Sequence, residues 1–527
     1  MNETVVGEKG MAAAPHRAAA ESAAEVMRAG GNAVEAMIAA AATIAVVYPH
    51  MNGIGGDAFF LIAEPGKRPL VIDACGAAGS LATIERYRKE GYDTIPSRGP
   101  LAALTVAGAV SSWTMAMDAA ASLGGRLSRR DLLGSAIGHA RDGIPVSPCQ
   151  WRKTVSNLDL ASVPGFAGHF LKDGKAPDAG TPMLQPRLAD TLDHLAQAGF
   201  DDFYRGDVAL EISADLEQVG SPVTREDLRK HVARLTEPLS LKLSDCTLFN
   251  TPPPTQGLAS LIILGLFDRL GVKRGEGFDH IHGLIEATKR AFAVRETEIT
   301  DPAHGGDVKQ FLEAAWLDAE ADKIDRKRAA PWGGNADGDT IYMCAVDGNG
   351  LAVSFIQSLF WEWGSAVVLP KTGICWQNRG TSFSLDPASA NPLTPGRKPF
   401  HTLTPALARF TDGRVMPYGS MGGDGQPQFQ SAVFTRYARF GMDLGDAVDA
   451  PRWRLGRTWG RDNVGVTIES RFDPDLVRAL EQAGHAIFEL KEPYSYSLGH
   501  AAAIVRRADG RLFGAADPRS DGAAVAV

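Results

Sequence analysis

The sequence predicts an α+β protein, and three observations carry that prediction. The first ~330 residues hold long stretches with apolar residues at helical, 3.6-residue spacing. Between Arg328 and Asp339 the texture changes to RAAPWGGNADGD, a run of small and turn-forming residues with no apolar period. Directly after it, Thr340–Val346 (TIYMCAV), the turn Asp347–Gly350 (DGNG) and Leu351–Leu359 (LAVSFIQSL) form the signature of a β-hairpin.

The elements follow in order. His16–Gly30 reads as a helix stopped by Gly30-Gly31-Asn32, and Ala33–Tyr48 (AVEAMIAAAATIAVVY) reads as a buried helix. That second stretch is too short for a membrane span and carries Glu35. Short apolar runs at Phe59–Ala63 and Pro69–Asp73 are expected strands. Amphipathic helices are expected at Arg187–Ala198, Asp207–Val219 and Asp279–Glu296. Thr251–Gly257 (TPPPTQG) is an extended turn before a further helix, because proline fixes φ and lacks a donor. Strand-and-turn texture resumes through Pro405–Met421.

Composition narrows the function classes. Of 527 residues, 44% are hydrophobic and 22% charged, as in ordinary soluble globular proteins. A net charge of −8 argues against a nucleic-acid partner, since phosphate binding needs clustered Lys and Arg. Five scattered cysteines without a CxxC pair read as a reduced set. With no basic-then-apolar leader, the expectation is a cytoplasmic protein without a membrane partner. No His/Cys/Asp spacing suggests a metal site, and no cofactor is expected. GIGG at Gly53–Gly56 and GSMGGDG at Gly419–Gly425 both lack the full pattern of a nucleotide loop.

A threonine hydroxyl is a weak nucleophile and needs a nearby base. Were Thr340 to become a chain N-terminus, its own α-amine, with a reference pKa of about 7.7–8.0, would supply one. Local sequence alone favours a plain strand-initiating threonine. In the GSMGGDG stretch, consecutive glycines allow two backbone N–H groups to converge on one point, as an oxyanion hole requires.

Taken in order, a longer series decides between these readings: Ala13–Phe60, LTVAGAV, GFDDFYRGDVALEISADL, PVTREDLRKHVARLTEPL, TPPPTQG, HIHGLIEATKRAFAVRETEITDP, DTIYMCAVDGNGLAVS and GSMGGDG. This series resembles the γ-glutamyltransferase family of N-terminal-nucleophile hydrolases. The resemblance implies an αββα four-layer sandwich formed by two chains after self-cleavage between Asp339 and Thr340. Residues 1–339 would form the large chain and 340–527 the small one, a heterodimer open to further homo-dimerisation. It also implies Thr340 as nucleophile, Ser358 as its supporting hydroxyl, and Gly422 and Gly423 as oxyanion donors.

Departures from the family pattern shape the substrate expectation. The arginine that grips a glutamyl α-carboxylate falls at Cys75, within IDACGAAG. The aspartate that holds the α-amino group falls at Ser382, its helping asparagine at Phe360, and the paired serines at His401 and Thr402. Arg379 brings a positive charge to the same segment, and His401 adds a polar group able to carry one. A pocket with a cation, no anion and less room predicts a small-molecule amide bearing a carboxylate. Relatives sharing NRGxxFSLDP and PFHTL include an amidohydrolase acting on oxamate, although its branch carries an arginine near Ala77. The alternatives are a γ-glutamyltransferase or glutathione hydrolase, and an unprocessed, catalytically silent relative with a structural or interaction role.

Overall fold

The computed structural model describes residues 3–332, 340–456 and 465–527; Asp339, half of the expected scissile bond, lies outside them. Two antiparallel seven-stranded sheets form the centre. The first runs Val5–Gly7, Leu512–Ala516, Ala501–Arg506, Val415–Ser420, Ala406–Phe410, Cys246–Asn250 and Leu239–Lys242. The second runs Ala523–Ala526, Gly10–Ala14, Ile341–Asp347, Ala352–Ser358, Asp57–Ala63, Leu70–Asp73 and Arg234–Thr236. Each sheet therefore draws strands from both sides of residue 340.

Side-chain alternation explains how the layers stack. In Ile341–Asp347 every residue is buried, so neither face meets water. Tyr342, Cys344 and Val346 enter the apolar layer shared with the other sheet, while Ile341, Met343 and Ala345 pack on the helical layer outside. Asp57–Ala63 divides the same way, with Phe59 and Leu61 inward and Ala58, Phe60 and Ile62 outward. A strand buried on both faces reads as a continuous apolar run, which is why neither shows polar alternation.

The outer helices are Arg17–Arg28, Ala33–Val47 and Pro186–Ala198 on one sheet, and Gly257–Leu270 and Phe278–Glu298 on the other. Ala33–Val47 starts at a capping box in which Asn32 Oδ1 accepts from Glu35 N–H at 3.0 Å and Glu35 Oε2 accepts from Asn32 N–H at 2.8 Å. All fifteen of its residues are buried, as expected of a helix apolar on every side. The layer order is α/β/β/α, the four-layer sandwich. The expected hairpin spans Ile341–Asp347 and Ala352–Ser358, one residue later at each start than the sequence suggested. All five cysteines are buried and none forms a disulfide. Among the described residues no helix is long and apolar enough to cross a membrane.

Candidate active site

Register assembles the site at one end of the second sheet. Ile341 pairs with Gln357, so the preceding Thr340 faces Ser358, and Ser358 is itself registered with Asp57. Continuing the Phe59–Asp73 pairing by two residues carries it to Asp57 and Cys75. By alternation these four share the face turned toward the other sheet. All are buried.

Thr340 Oγ1 donates to Ser358 Oγ at 3.3 Å, and Ser358 Oγ accepts the Phe360 N–H at 2.7 Å. From the helix that follows the other sheet's strand Val415–Ser420, Gln426 Nε2 donates to Thr340 Oγ1 at 3.3 Å. The orientation of that amide is fixed, because Gln426 Oε1 accepts from the Thr404 N–H at 3.1 Å and from Thr404 Oγ1 at 3.2 Å. Thr404 Oγ1 also accepts from Gln430 Nε2 at 3.0 Å, one turn further along the helix Gln426–Phe434.

The glycine turn stands at the start of that helix. Gly422 has φ +118° and Gly423 φ +52°, conformations suited to glycine, and a Cβ on Gly422 would lie 2.7 Å from Phe429 Cε2. The Gly425 N–H donates to the Gly422 carbonyl at 2.8 Å. One buried amide ties this turn to the pocket wall: Gln256 Nε2 donates to the carbonyls of Gly423 at 2.8 Å and Thr402 at 2.9 Å. Arg295 holds the same Gln256 through its Oε1 at 2.9 Å and pairs with Asp424 at 3.2 Å.

Arg379 is wholly buried in the short turn Arg379–Ser382. Its guanidinium lies 3.7 Å above the Phe360 ring, and Nη2 donates to Thr402 Oγ1 at 3.1 Å. Its Nε and Nη1 have no hydrogen-bond partner among the described residues. Burial pulls this arginine down to about 9, while the neighbouring carboxylates of Asp57 and Asp424 oppose the shift. Phe360 adopts φ +84°, a strained value for an aromatic residue of the kind found at ligand clamps. Ser382 is half-buried at the end of the turn.

Two expectations change. His401 does not bring a positive charge: burial, then Arg379 and Lys398, hold it well below the ordinary histidine range. Its Nε2 meets Asp57 Oδ2 at 3.1 Å, and Nδ1 accepts the Leu403 N–H at 3.4 Å, so the neutral ring donates to Asp57. Nor is the pocket free of an anion, since Asp57 is buried within reach of Arg379's charge. Beside glycines in sequence, Asp57 reads as a turn former; instead it opens a buried strand. An acidic residue leading an uninterrupted apolar run, DAFFLIA, is the signal that points to a buried role. Gln426 and Gln256 carried no comparable signal, because surface helices are full of glutamines.

Among the described residues, tertiary structure also gathers two trios close enough to hold a metal ion, where sequence spacing suggested none: Asp57, Cys75 and His401, and His282, Glu286 and His485. In the first, His401 and Asp57 already use their inward atoms on each other and Arg379's positive charge is close, which disfavours a cation. In the second, His282 Nδ1 meets His485 Nε2 at 2.8 Å, and Glu286 is held by Lys289 at 2.6 Å. An ammonium on the carboxylate competes with a metal there.

The chain matches the family described as gamma-glutamyltranspeptidase over residues 19–527. It is 52% identical to the oxamate amidohydrolase proenzyme of Klebsiella pneumoniae across 99% of both chains. It is 39% identical to a glutathione hydrolase-like proenzyme of Bacillus subtilis over the full length of both. Among solved structures, cephalosporin acylase from Bacillus halodurans superimposes with a TM-score of 0.92 at 32% identity, covering 100% of this chain and 97% of that one.

Proposed function

The chain belongs to the gamma-glutamyltranspeptidase family of amide hydrolases, and we propose that it is a self-processing amidohydrolase for small carboxylate-bearing amides such as oxamate, with Thr340 as nucleophile. The observation that carries the substrate class is Arg379. A buried guanidinium with two unpartnered nitrogens costs the fold free energy, unless an anion completes it. Its planar fork matches a carboxylate. The Phe360 ring, 3.7 Å from the guanidinium, takes up space beside it, which favours a short acyl group. Cys75, where a glutamyl-specific relative has its arginine, offers a neutral thiol pushed well up by burial.

In the proposed sequence the Thr340 hydroxyl first attacks the Asp339 carbonyl, the C–N bond breaks, and water hydrolyses the resulting ester. That releases a small chain starting at Thr340. In turnover, the new α-amine takes the Thr340 Oγ1 proton as Oγ1 attacks the substrate amide carbon. Amide N–H groups of the Gly422–Gly423 turn receive the developing oxyanion, each such donor contributing roughly 10²–10³ in rate. Ammonia departs with a proton from the amine, leaving an acyl ester, and water attacks that ester to release the dicarboxylate. Ser358 and Gln426 hold Oγ1 in line.

Intact mass spectrometry, followed by ammonia release from oxamate beside a γ-glutamyl-p-nitroanilide assay, tests this reading. Two chains divided at Thr340 and turnover of oxamate are expected. Robust turnover of the γ-glutamyl donor alone would assign a glutathione hydrolase instead. A single intact chain without activity would mark a catalytically silent relative.

A further inference from the structure

A buried arginine beside a buried carboxylate ordinarily closes on it in a bidentate pair. Asp57 and Arg379 do not close, and the donors around Asp57 explain why. Asp57 Oδ1 accepts from the Gly76 N–H at 3.1 Å, the Gly108 N–H at 3.0 Å and Gln377 Nε2 at 3.1 Å. Oδ2 accepts from His401 Nε2 at 3.1 Å. Three donors more than take up the two lone-pair positions of Oδ1 and His401 takes one of the two on Oδ2, so a single position remains, the one a proton can occupy. Arg379 meanwhile keeps Nε and Nη1 open while still feeling the Asp57 charge through space.

We infer that Asp57, held in place by His401 and Gln377, is a positioning residue that supplies Arg379's counter-charge without occupying it, and so keeps a carboxylate-binding fork open. This rests on the reading that Arg379 takes the substrate carboxylate. A second anion at Arg379 then faces Asp57 across the guanidinium, and the two carboxylates compete for one positive charge. Substrate binding is accordingly coupled to protonation of Asp57. The groups facing Asp57 are Arg379, His401, Cys75 and Tyr204. Of these, burial keeps His401, Cys75 and Tyr204 neutral. Beyond them, Lys398 is paired with Asp73 at 2.6 Å and Asp424 with Arg295. Burial pushes the Asp57 carboxyl up to about 7, against the bonds from Gly76, Gln377 and Gly108 and the charge of Arg379, so the coupling falls in the neutral range.

The test is calorimetric titration of the processed enzyme with oxalate, the dicarboxylate left by oxamate hydrolysis. Runs at several pH values, in buffers of different ionisation enthalpy, give affinity and proton uptake together. Below pH ~6 the affinity should be level; above pH ~7 it should weaken by up to about tenfold per pH unit, with net proton uptake on binding. The Thr340 amine titrates in the same range, so the share due to Asp57 is the share that Asp57→Asn removes. His401→Phe, which frees Oδ2 to pair with Arg379, should weaken oxalate about tenfold or more, and His401→Gln, which keeps a donor, should restore it.

Proton uptake in Asp57→Asn equal to that of the unsubstituted enzyme overturns the inference. Should that variant not fold, equal affinity in His401→Phe and the unsubstituted enzyme overturns it. The two readings separate through Arg379→Gln. If that change leaves oxalate affinity intact, the carboxylate reading falls and this inference with it. If it abolishes binding while Asp57 and His401 variants are indifferent, only this inference falls.

Discussion

Replacing Arg379 with Met separates binding from folding, because the structure gives the two effects opposite signs. Each free edge of the guanidinium pairs one unpartnered nitrogen, Nε or Nη1, with the second Nη2 hydrogen, and hydrogen bonds to charged groups contribute about 1.5–3 kcal/mol each. The loss of substrate binding is then roughly 3–6 kcal/mol, or about 10²–10⁴ in affinity. The carboxylate contact is the same in the ground and transition states, so KM should rise while kcat changes little. Stability should behave otherwise. Burial pulls this arginine down to about 9, so holding its charge costs several kcal/mol at about 1.4 kcal/mol per pH unit. Methionine fills similar space over Phe360 without that penalty, and Asp57, left without its counter-charge, takes up a proton rather than staying a buried unpaired ion. Steady-state ammonia release from oxamate and a thermal melt of the same preparation read both effects. A lower Tm with unchanged KM would refute the reasoning and return Arg379 to a structural role.

Two further outcomes follow from the same geometry. Ser358→Ala removes the hydroxyl that receives Thr340 Oγ1 and the Phe360 N–H. Self-cleavage should slow by about 10–10², read as the time course of full-length chain on a denaturing gel; unaltered kinetics would exclude Ser358 from the machinery. Acid should unfold the protein early. Burial depresses His16 to about 4 and His231, His485 and His500 to about 3, with His50 and His401 also well below 6.5. A depressed folded-state value means stability present above 6.5 and lost as pH falls toward it, at roughly 1.4 kcal/mol per pH unit for each histidine. Asp57, Asp347 and Asp521 have the opposite sign, their raised values favouring the fold below the unfolded range, and three groups do not offset six. Urea midpoints at pH 7, 6 and 5 should drop steeply; a level series would contradict the buried neutral histidines.

Much of this molecule was legible because it is local. The hairpin around DGNG, the helix opened by Asn32 and Glu35, and the glycine turn at Gly422 and Gly423 follow from short-range chemistry: turn residues, a capping box, backbone values that glycine tolerates. Boundaries moved by a residue or two, as fraying ends do. The resemblance carried a supporting hydroxyl to Ser358, and the register of the folded hairpin sets that residue opposite Thr340.

The sequence by itself determined where a nucleophile could arise and which glycines could face it. Tertiary structure alone decided what surrounds them. Asp57 meets His401 across 344 positions, and Gln426 reaches Thr340 across 86. No periodicity encodes such pairings, because an aspartate beside glycines satisfies a turn and a buried strand start equally well until its partners are known. The same holds for Arg379. Its charge was visible in the sequence. That it is fully buried, with one nitrogen bonded and two left open, is set by the packing of Phe360 and Thr402 around it. Electrostatic character depends on burial and on partners, and both are properties of the folded chain.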